Sequence, residues 1–424
     1  MASTSATILS FEQARHVVEE HAATLRPRGK ELVELLDGPG QVLAEPVLAD
    51  RNFPPFPRAT RDGYAVRASD LAKVPVALSV IAEIKAGAAT DAWLKVEPGQ
   101  AAAIMTGAPV PPGSDAVVMV EYTSRDGDQV TITKGIAAEE NIVPVAAEAK
   151  RGARLLSPGV RLDHAAIAVA ASVGRSRLLV YSKPRVAVLA TGDELVDIDV
   201  PLAPNQIRNS NTYSLATQIQ RAGGEPVLLP IAPDEPERLR ELMADGFESD
   251  LLLLTGGVSM GKYDLVEEVL AQFQAEFFFT GAQIQPGRPV VFGRVPCGAG
   301  APAREGERHA SDHTYFFGLP GNPVSTMVTF ELFARPVLEA LAGVTPRKLI
   351  FLHARLKSEI KTKPGLKRFL PAILSGEFEQ AEAELVRWQG SGDLAATAVA
   401  NCYIVIPPDR ERIAAGEWVP VLMR

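Results

Sequence analysis

From Pro184 to Leu341, short continuous apolar runs alternate with segments of helical spacing, and no other feature of the chain constrains its fold as tightly. The runs are RVAVLA, PVLLPI, DLLLLTGG, FFFTG, VVFGRV and TYFFGLPGNP. They lack the polar alternation of a half-exposed strand, which marks strands covered on both faces. Helices are expected at 210–222, closed by Gly223-Gly224, and at 235–247, with Leu239, Leu242 and Met243 on one face. Further helices follow the third strand and occupy 323–341. Buried strands alternating with helices predict a doubly wound, mostly parallel α/β sheet domain over 182–343.

The rest of the chain reads differently, and 424 residues exceed one ordinary core. Phe11, Ala14, Val17, Val18, His21 and Leu25 predict an amphipathic helix over 10–26. A second helix at 162–173, capped by Gly174, is expected to pack with it. That pairing makes a helical, discontinuous N-terminal (linker) domain of 8–50 with 146–181. Between its halves, the prolines of NFPPFPRATR exclude a regular helix or a central strand. Short β-like runs then follow (VALSVIAEI, QAAAIM, AVVMVEY, VTIT), giving an inserted small β domain over 51–145. The stretch 296–313 reads as a mobile polar loop. Beyond Thr345 the pattern is β-like to the end, a barrel-like C-terminal domain over 344–424.

The formal charge of -8, with no long basic block, argues against nucleic acid or an anionic membrane as partner. Cys297 and Cys402, with six scattered His, give neither a disulfide framework nor a zinc site. The opening MASTSATILS lacks the basic n-region and long apolar run expected of a signal peptide, and no stretch reaches the about 18 apolar residues of a spanning helix. The expected location is the cytoplasm.

In an open parallel sheet, ligands sit beyond the carboxyl ends of the strands. Those ends carry Thr191-Gly192-Asp193-Glu194, Ala232-Pro233-Asp234, Thr255-Gly256-Gly257-Val258-Ser259-Met260-Gly261 with Asp264, and Gly318-Leu319-Pro320-Gly321-Asn322-Pro323-Val324-Ser325. TGGVSMG ahead of a helix offers free N–H groups and a hydroxyl to an oxyanion, and GLPGNPVS resembles it. A turn that serves packing alone has the same composition. Glu194, Asp234 and Asp264 beside two anion cradles would repel a phosphate, and a hard cation such as Mg²⁺ resolves the conflict. Arg288, in QPGRP, suits a tetrahedral oxyanion. In the inserted domain, Asp62-Gly63 presents a carboxylate on a turn, and Thr106 lies in a rigid Gly/Pro loop; each taken alone is as consistent with a structural role.

These segments resemble the molybdopterin molybdenumtransferases, whose relatives include the C-terminal domain of gephyrin. The match runs in order through FPPFPRATRDGYAV, IMTGAPVPPGSDAVVMVE, VAVLATGDELV, NQIRNSNTYSL, LLTGGVSMGKYD, QPGRPVVFG, FFGLPGNPVS and WQGSGDLAATAVANCY. The resemblance implies a four-domain, L-shaped protomer that dimerises. It also implies a sheet domain that binds adenylylated molybdopterin, and a Mg²⁺-dependent reaction that joins molybdate to the dithiolene sulfurs and releases AMP. Carried over residue by residue, the catalytic group is Asp62, Thr106, Glu194, Asp234 and Asp264, with Glu194, Asp234 and Asp264 as the metal ligands. Gly256, Gly257, Ser259, Gly261, Arg288, Pro289, Pro320, Gly321, Asn322, Pro323, Ser325, Arg368 and Ser391 become the pterin and molybdate contacts. A homodimer with active sites shared between protomers is expected, served by a molybdopterin adenylyltransferase.

Two stretches depart from the family pattern. After Asn141-Ile142 the family is rich in arginine and continues Gly-Glu-Asp. Here the chain reads Val143-Pro144-Val145-Ala146-Ala147-Glu148, and neutral Gln285 replaces a basic residue. Both changes thin positive charge near an anion site. Two other readings compete: a sheet domain that adenylylates the pterin with ATP, and a scaffold that keeps the fold and binds partner peptides. The three extra domains speak against the first, and the retained acids against the second.

Overall fold

The computed structural model describes residues 7–87, 95–257, 265–297 and 313–424. Most of the expected polar loop at 296–313 therefore lies outside the described residues. The chain forms two compact units. One joins Met1–Ala44, Gly159–Asp163 and Arg177–Arg424; the other joins Glu45–Pro158 and His164–Ser176.

The larger unit begins with α1 (Phe11–Thr24). Its start is a reciprocal cap: Ser10 Oγ accepts from the Gln13 N–H at 3.1 Å, and the Gln13 side chain accepts the Ser10 N–H at 3.0 Å. The sheet follows as β1 (Arg185–Ala190), β2 (Glu225–Leu228), β3 (Leu251–Thr255), β4 (Glu276–Phe279), β5 (Val291–Pro296) and β6 (His313–Leu319), in spatial order β2-β1-β3-β6-β5-β4. Alternate residues of each strand enter opposite cores. Val186, Val188, Leu251, Leu253 and Phe317 meet Leu215 and Ile219 of α2 (Ser210–Ala222). Ala187, Leu189, Leu252 and Leu254 meet Leu239 and Leu242 of α3 (Pro236–Gly246), with Val266 and Val269 of α4 (Leu265–Gln272). Both faces are covered, so the strands carry apolar residues throughout.

Strand direction departs from the simple alternation read in the sequence. β1, β2, β3 and β6 are mutually parallel, but β5 runs against its neighbours β4 and β6. Because Val291 pairs with Gly318, near the carboxyl end of β6, the reversal brings the lead-in Gly287-Arg288-Pro289 to the edge where the other strands end.

The last helix of the sheet domain runs as α5 (Pro323–Thr329), a π-helical turn (Phe330–Ala334) and α6 (Arg335–Leu341). Pro336 has no N–H and leaves the Leu332 carbonyl, four residues earlier, without its helical donor. The buried Arg15 of α1 donates to that carbonyl. The apolar face of α1 (Phe11, Ala14, Val18) joins the same core as Phe333 and Val337. The partner expected for this helix was the segment 162–173. An amphipathic pattern shows which face is buried but not what covers it, and α1 gives its face to the sheet domain instead.

The C-terminal strands β7 (Phe351–Leu356), β8 (Lys367–Ser375), β9 (Glu382–Leu385), β10 (Cys402–Ile406) and β11 (Trp418–Met423) close into a five-stranded barrel, ordered β8-β9-β7-β11-β10 and back to β8. Ala354, Ala372, Ala383, Ile404 and Val421 fill it. The start of β8 also pairs with Ile284–Gln285, register Gln285 to Arg368, and so ties the barrel to the loop that carries Arg288.

The smaller unit holds a six-stranded sheet in the order Ala116–Met119, Gly63–Val66, Gln100–Ile104, Val76–Ile84, Gln129–Ile132 and Thr123–Asp126. Its helix is His164–Ser172. Among the described residues, no helix is long and apolar enough to cross a membrane.

Candidate active site at the carboxyl edge of the sheet

The turns after β1, β2, β3 and β6 converge on one cleft of about 900 Å³. Glu194 and Asp234 stand exposed on its wall, and Gly256, Gly257, Gly321 and Asn322 border it. Local bonding fixes the acids. Asp234 Oδ1 accepts from Thr191 Oγ1 at 3.0 Å, and the Asp234 N–H donates to Asp193 Oδ1 at 3.0 Å, which locks the β1 and β2 turns together. Glu194 is held by a short parallel bridge of Leu195–Val196 with Ile207–Arg208, and its carboxylate folds back over Gly192.

The β3 turn requires glycine twice. Gly256 has φ +90, and a Cβ there would lie 2.3 Å from the Thr191 carbonyl oxygen; Gly257 has φ +64, and a Cβ would lie 2.7 Å from Val266. Gly321 sits directly against this turn, where a Cβ would be 3.5 Å from the Gly256 Cα. The two loops therefore form a single floor.

A smaller pocket of about 340 Å³ adjoins the cleft and shares Pro289, Pro320 and Asn322 with it. Arg288, Ser325, Ser391 and Trp388 line it. The helix start read as a free anion cradle is partly spent here: Pro323 has no N–H, and Val324 donates its N–H to the Ser391 carbonyl at 3.0 Å. Arg368 is not part of the wall. Its Nη2 donates to the Lys363 carbonyl at 2.5 Å, its buried Nε has no hydrogen-bond partner, and desolvation holds the guanidinium below its ordinary pKa. Pro323 lines the larger cleft. Ser259, Gly261 and Asp264 lie outside the described residues.

Two carboxylates on an open wall suit Mg²⁺, which is commonly held by one or two acids together with waters and substrate phosphates. Among the described residues, no group of three or more His, Cys, Asp or Glu stands ready to cage a metal without such help.

In the smaller unit, Asp62 Oδ1 accepts the Thr106 N–H at 2.6 Å. Asp62 is fully exposed, and the amide and hydroxyl of Thr106 hold its carboxyl below the usual range. The two residues read as separate candidates in the sequence are thus one bonded pair. The nearby departure also takes shape: Glu148 pairs with Arg58 at 2.9 Å, and Ala146 adopts φ +61, a conformation that favours glycine.

Family models cover the chain in three consecutive matches. They are the MoeA N-terminal region (domain I and II) at residues 9–174, a probable molybdopterin binding domain at 187–340 and the MoeA C-terminal region (domain IV) at 353–423. The molybdopterin molybdenumtransferase of a Nostoc species is 35% identical over 403 residues, 92% of this chain and 88% of that protein. The chain belongs to this family. The Bacillus subtilis molybdopterin molybdenumtransferase is 32% identical over 93% of this chain and 89% of its own length. The crystal structure of a molybdopterin biosynthesis moeA protein from Pyrococcus horikoshii OT3 superposes with TM-score 0.76 at 27% identity, covering 98% of this chain and all of that one. The crystal structure of a molybdopterin biosynthesis moea protein from Pyrococcus horikosii gives TM-score 0.69 at 31% identity, covering 98% of this chain and 99% of that one. The multidomain fold and a role in molybdenum cofactor biosynthesis follow from that membership.

At these two pockets, the sequence does not single out Thr191 and Asp193 as positioning groups, Asn211 as a wall residue, or Trp388. Thr191 and Asp193 were visible as polar residues at a strand end. Asn211 and Trp388 lie inside the matched segments NQIRNSNTYSL and WQGSGDLAATAVANCY, but nothing local marks them as facing a cleft, because their roles arise from contacts with distant segments.

Proposed function

We propose that the chain inserts molybdate into adenylylated molybdopterin, releasing AMP, in a Mg²⁺-dependent step. The observation that carries this reading is the joined pair of pockets, one walled by Glu194 and Asp234 and the other by Arg288, Ser325 and Ser391. The glycines of the β3 turn let the adenylyl phosphate approach the backbone closely. Glu194 and Asp234, with Asp264 as the third acid, would supply oxygen ligands for Mg²⁺, and a bound Mg²⁺ would offset negative charge on the phosphate of the adenylyl group. Arg288, as a fork of N–H donors, holds the molybdate oxyanion, with the Ser325 and Ser391 hydroxyls beside it. Molybdate is then placed next to the dithiolene sulfurs that receive the metal.

The reading extends to a cytoplasmic homodimer fed by a molybdopterin adenylyltransferase, with Asp62 and Thr106 of one protomer serving the site of the other. Mixed refolding of Asp62→Asn and Asp264→Asn chains tests the sharing. About half of the dimers would be mixed, each with one intact site, so activity should recover to roughly a quarter of wild type. A mixture as inactive as its parents contradicts it. The function itself is tested by turnover: AMP release should require molybdate, whereas an adenylylating enzyme consumes ATP without molybdate and a scaffold shows neither reaction.

A further inference from the structure

Asn211 is the second residue of α2, a place where a polar side chain ordinarily reaches solvent. The capping duty belongs to Asn209, whose side chain accepts from the Thr212 N–H at 3.2 Å. Asn211 turns instead toward the strand ends. Its Nδ2 donates to the Gly321 carbonyl at 2.7 Å and to Thr255 Oγ1 at 2.9 Å, joining segments 110 and 44 residues away. The orientation of the amide is forced, because a carbonyl oxygen only accepts and only the NH₂ end can face Gly321. Thr255 agrees with this: its hydroxyl donates to the Pro320 carbonyl at 3.3 Å and keeps a lone pair for Asn211. The other end of the amide, Oδ1, is buried without a hydrogen-bond partner, in a residue that lines the cleft. A buried acceptor left unmet by the protein is unusual, and it marks the amide as held for its two donors rather than for its acceptor.

We propose that Asn211 is a positioning residue that clamps the Thr255–Gly257 turn to the Pro320–Pro323 turn at the spacing the adenylylated substrate needs. The substrate named here rests on the function proposed above, whereas the clamp itself does not.

The test has one arm for each part. Without substrate, hydrogen exchange of the backbone amides around 255–257 and 319–322 should rise at least about 10-fold in Asn211→Ala, while the strand interiors β1 and β3 stay protected. In the wild-type protein, the Asn211 side-chain NH₂ protons should themselves be slow to exchange, a reading that survives even if the variant fails to fold. With substrate, Asn211→Ala should raise KM for the pterin adenylate about 10-fold and change kcat much less, the pattern of lost binding. Asn211→Asp should be worse than alanine at neutral pH, since a carboxylate then faces the Gly321 carbonyl. It should recover as pH falls below about 4, when a protonated acid again donates. A purely structural role would not produce that pH profile. Unchanged loop exchange together with wild-type KM in Asn211→Ala overturns the inference. If the wild-type protein releases no AMP with molybdate, the function falls instead, and the exchange arm still decides the clamp.

Discussion

The two adjoining pockets are built in opposite ways. The larger is acidic, and its two acids stand on neighbouring strand-end turns that are cross-bonded through Thr191, Asp193 and Asp234. The smaller carries the cation Arg288 and is assembled from distant pieces: a reversed strand supplies Arg288, a helix supplies Ser325, and the segment ahead of the last barrel strands supplies Trp388 and Ser391. The contrast teaches a division of labour. A metal bridging to a phosphate needs rigidly spaced carboxylates, and neighbouring parallel strands provide them. An oxyanion that must enter and then be consumed is better served by a pocket with several independent walls.

The largest expected effect breaks the acidic side. Glu194→Gln and Asp234→Asn should each lower the turnover rate by at least about 10-fold, measured as AMP release at saturating molybdate, because each removes a charge fixed at the reacting centre. If either variant keeps the wild-type rate, that acid is not part of the chemistry. On the cationic side, Arg288→Ala should raise the molybdate concentration for half-maximal rate several-fold and spare the maximal rate more. Gln285→Lys should lower that concentration, since it restores charge at the rim of the same pocket. Equal effects of all four substitutions on rate and molybdate dependence would erase the distinction between the pockets.

Gly256→Ala sharpens the comparison through geometry. The added Cβ meets the Thr191 carbonyl at 2.3 Å in a conformation L-residues resist, so the floor between the pockets must shift. Turnover should fall with loss of about 1–3 kcal/mol of stability, read by thermal unfolding. The smallest effect belongs to neither pocket. Ala146→Gly, at φ +61, should raise stability by about 0.5 kcal/mol, because the strain it relieves exceeds the chain entropy it adds. A lower melting temperature in that variant would show that the segment tolerates alanine without strain.

How much of this was legible follows from the physics of each signal. The continuous apolar runs revealed strands covered on both sides, and the acids at their ends marked the functional edge. Apolar runs carry no direction, however, so the reversal of β5 that delivers Arg288 to that edge could not be read from them. The helix over 11–24 announced its buried face, but its partner was set by the Leu332 carbonyl that Pro336 leaves open, a feature more than three hundred residues away. Ser391 came from family resemblance alone, and the structure shows its backbone carbonyl accepting from the Val324 N–H. Asn211 stayed hidden because an asparagine at a helix start reads as a cap.

The central claim is that the two pockets act together, one holding the metal-bound phosphate and the other the molybdate. It is tested most directly by single-turnover measurement of AMP released and molybdenum incorporated, with and without Mg²⁺. The account predicts equal amounts of both products, neither formed when molybdate or Mg²⁺ is withheld. AMP released at the full rate in EDTA, or without molybdate, would contradict it.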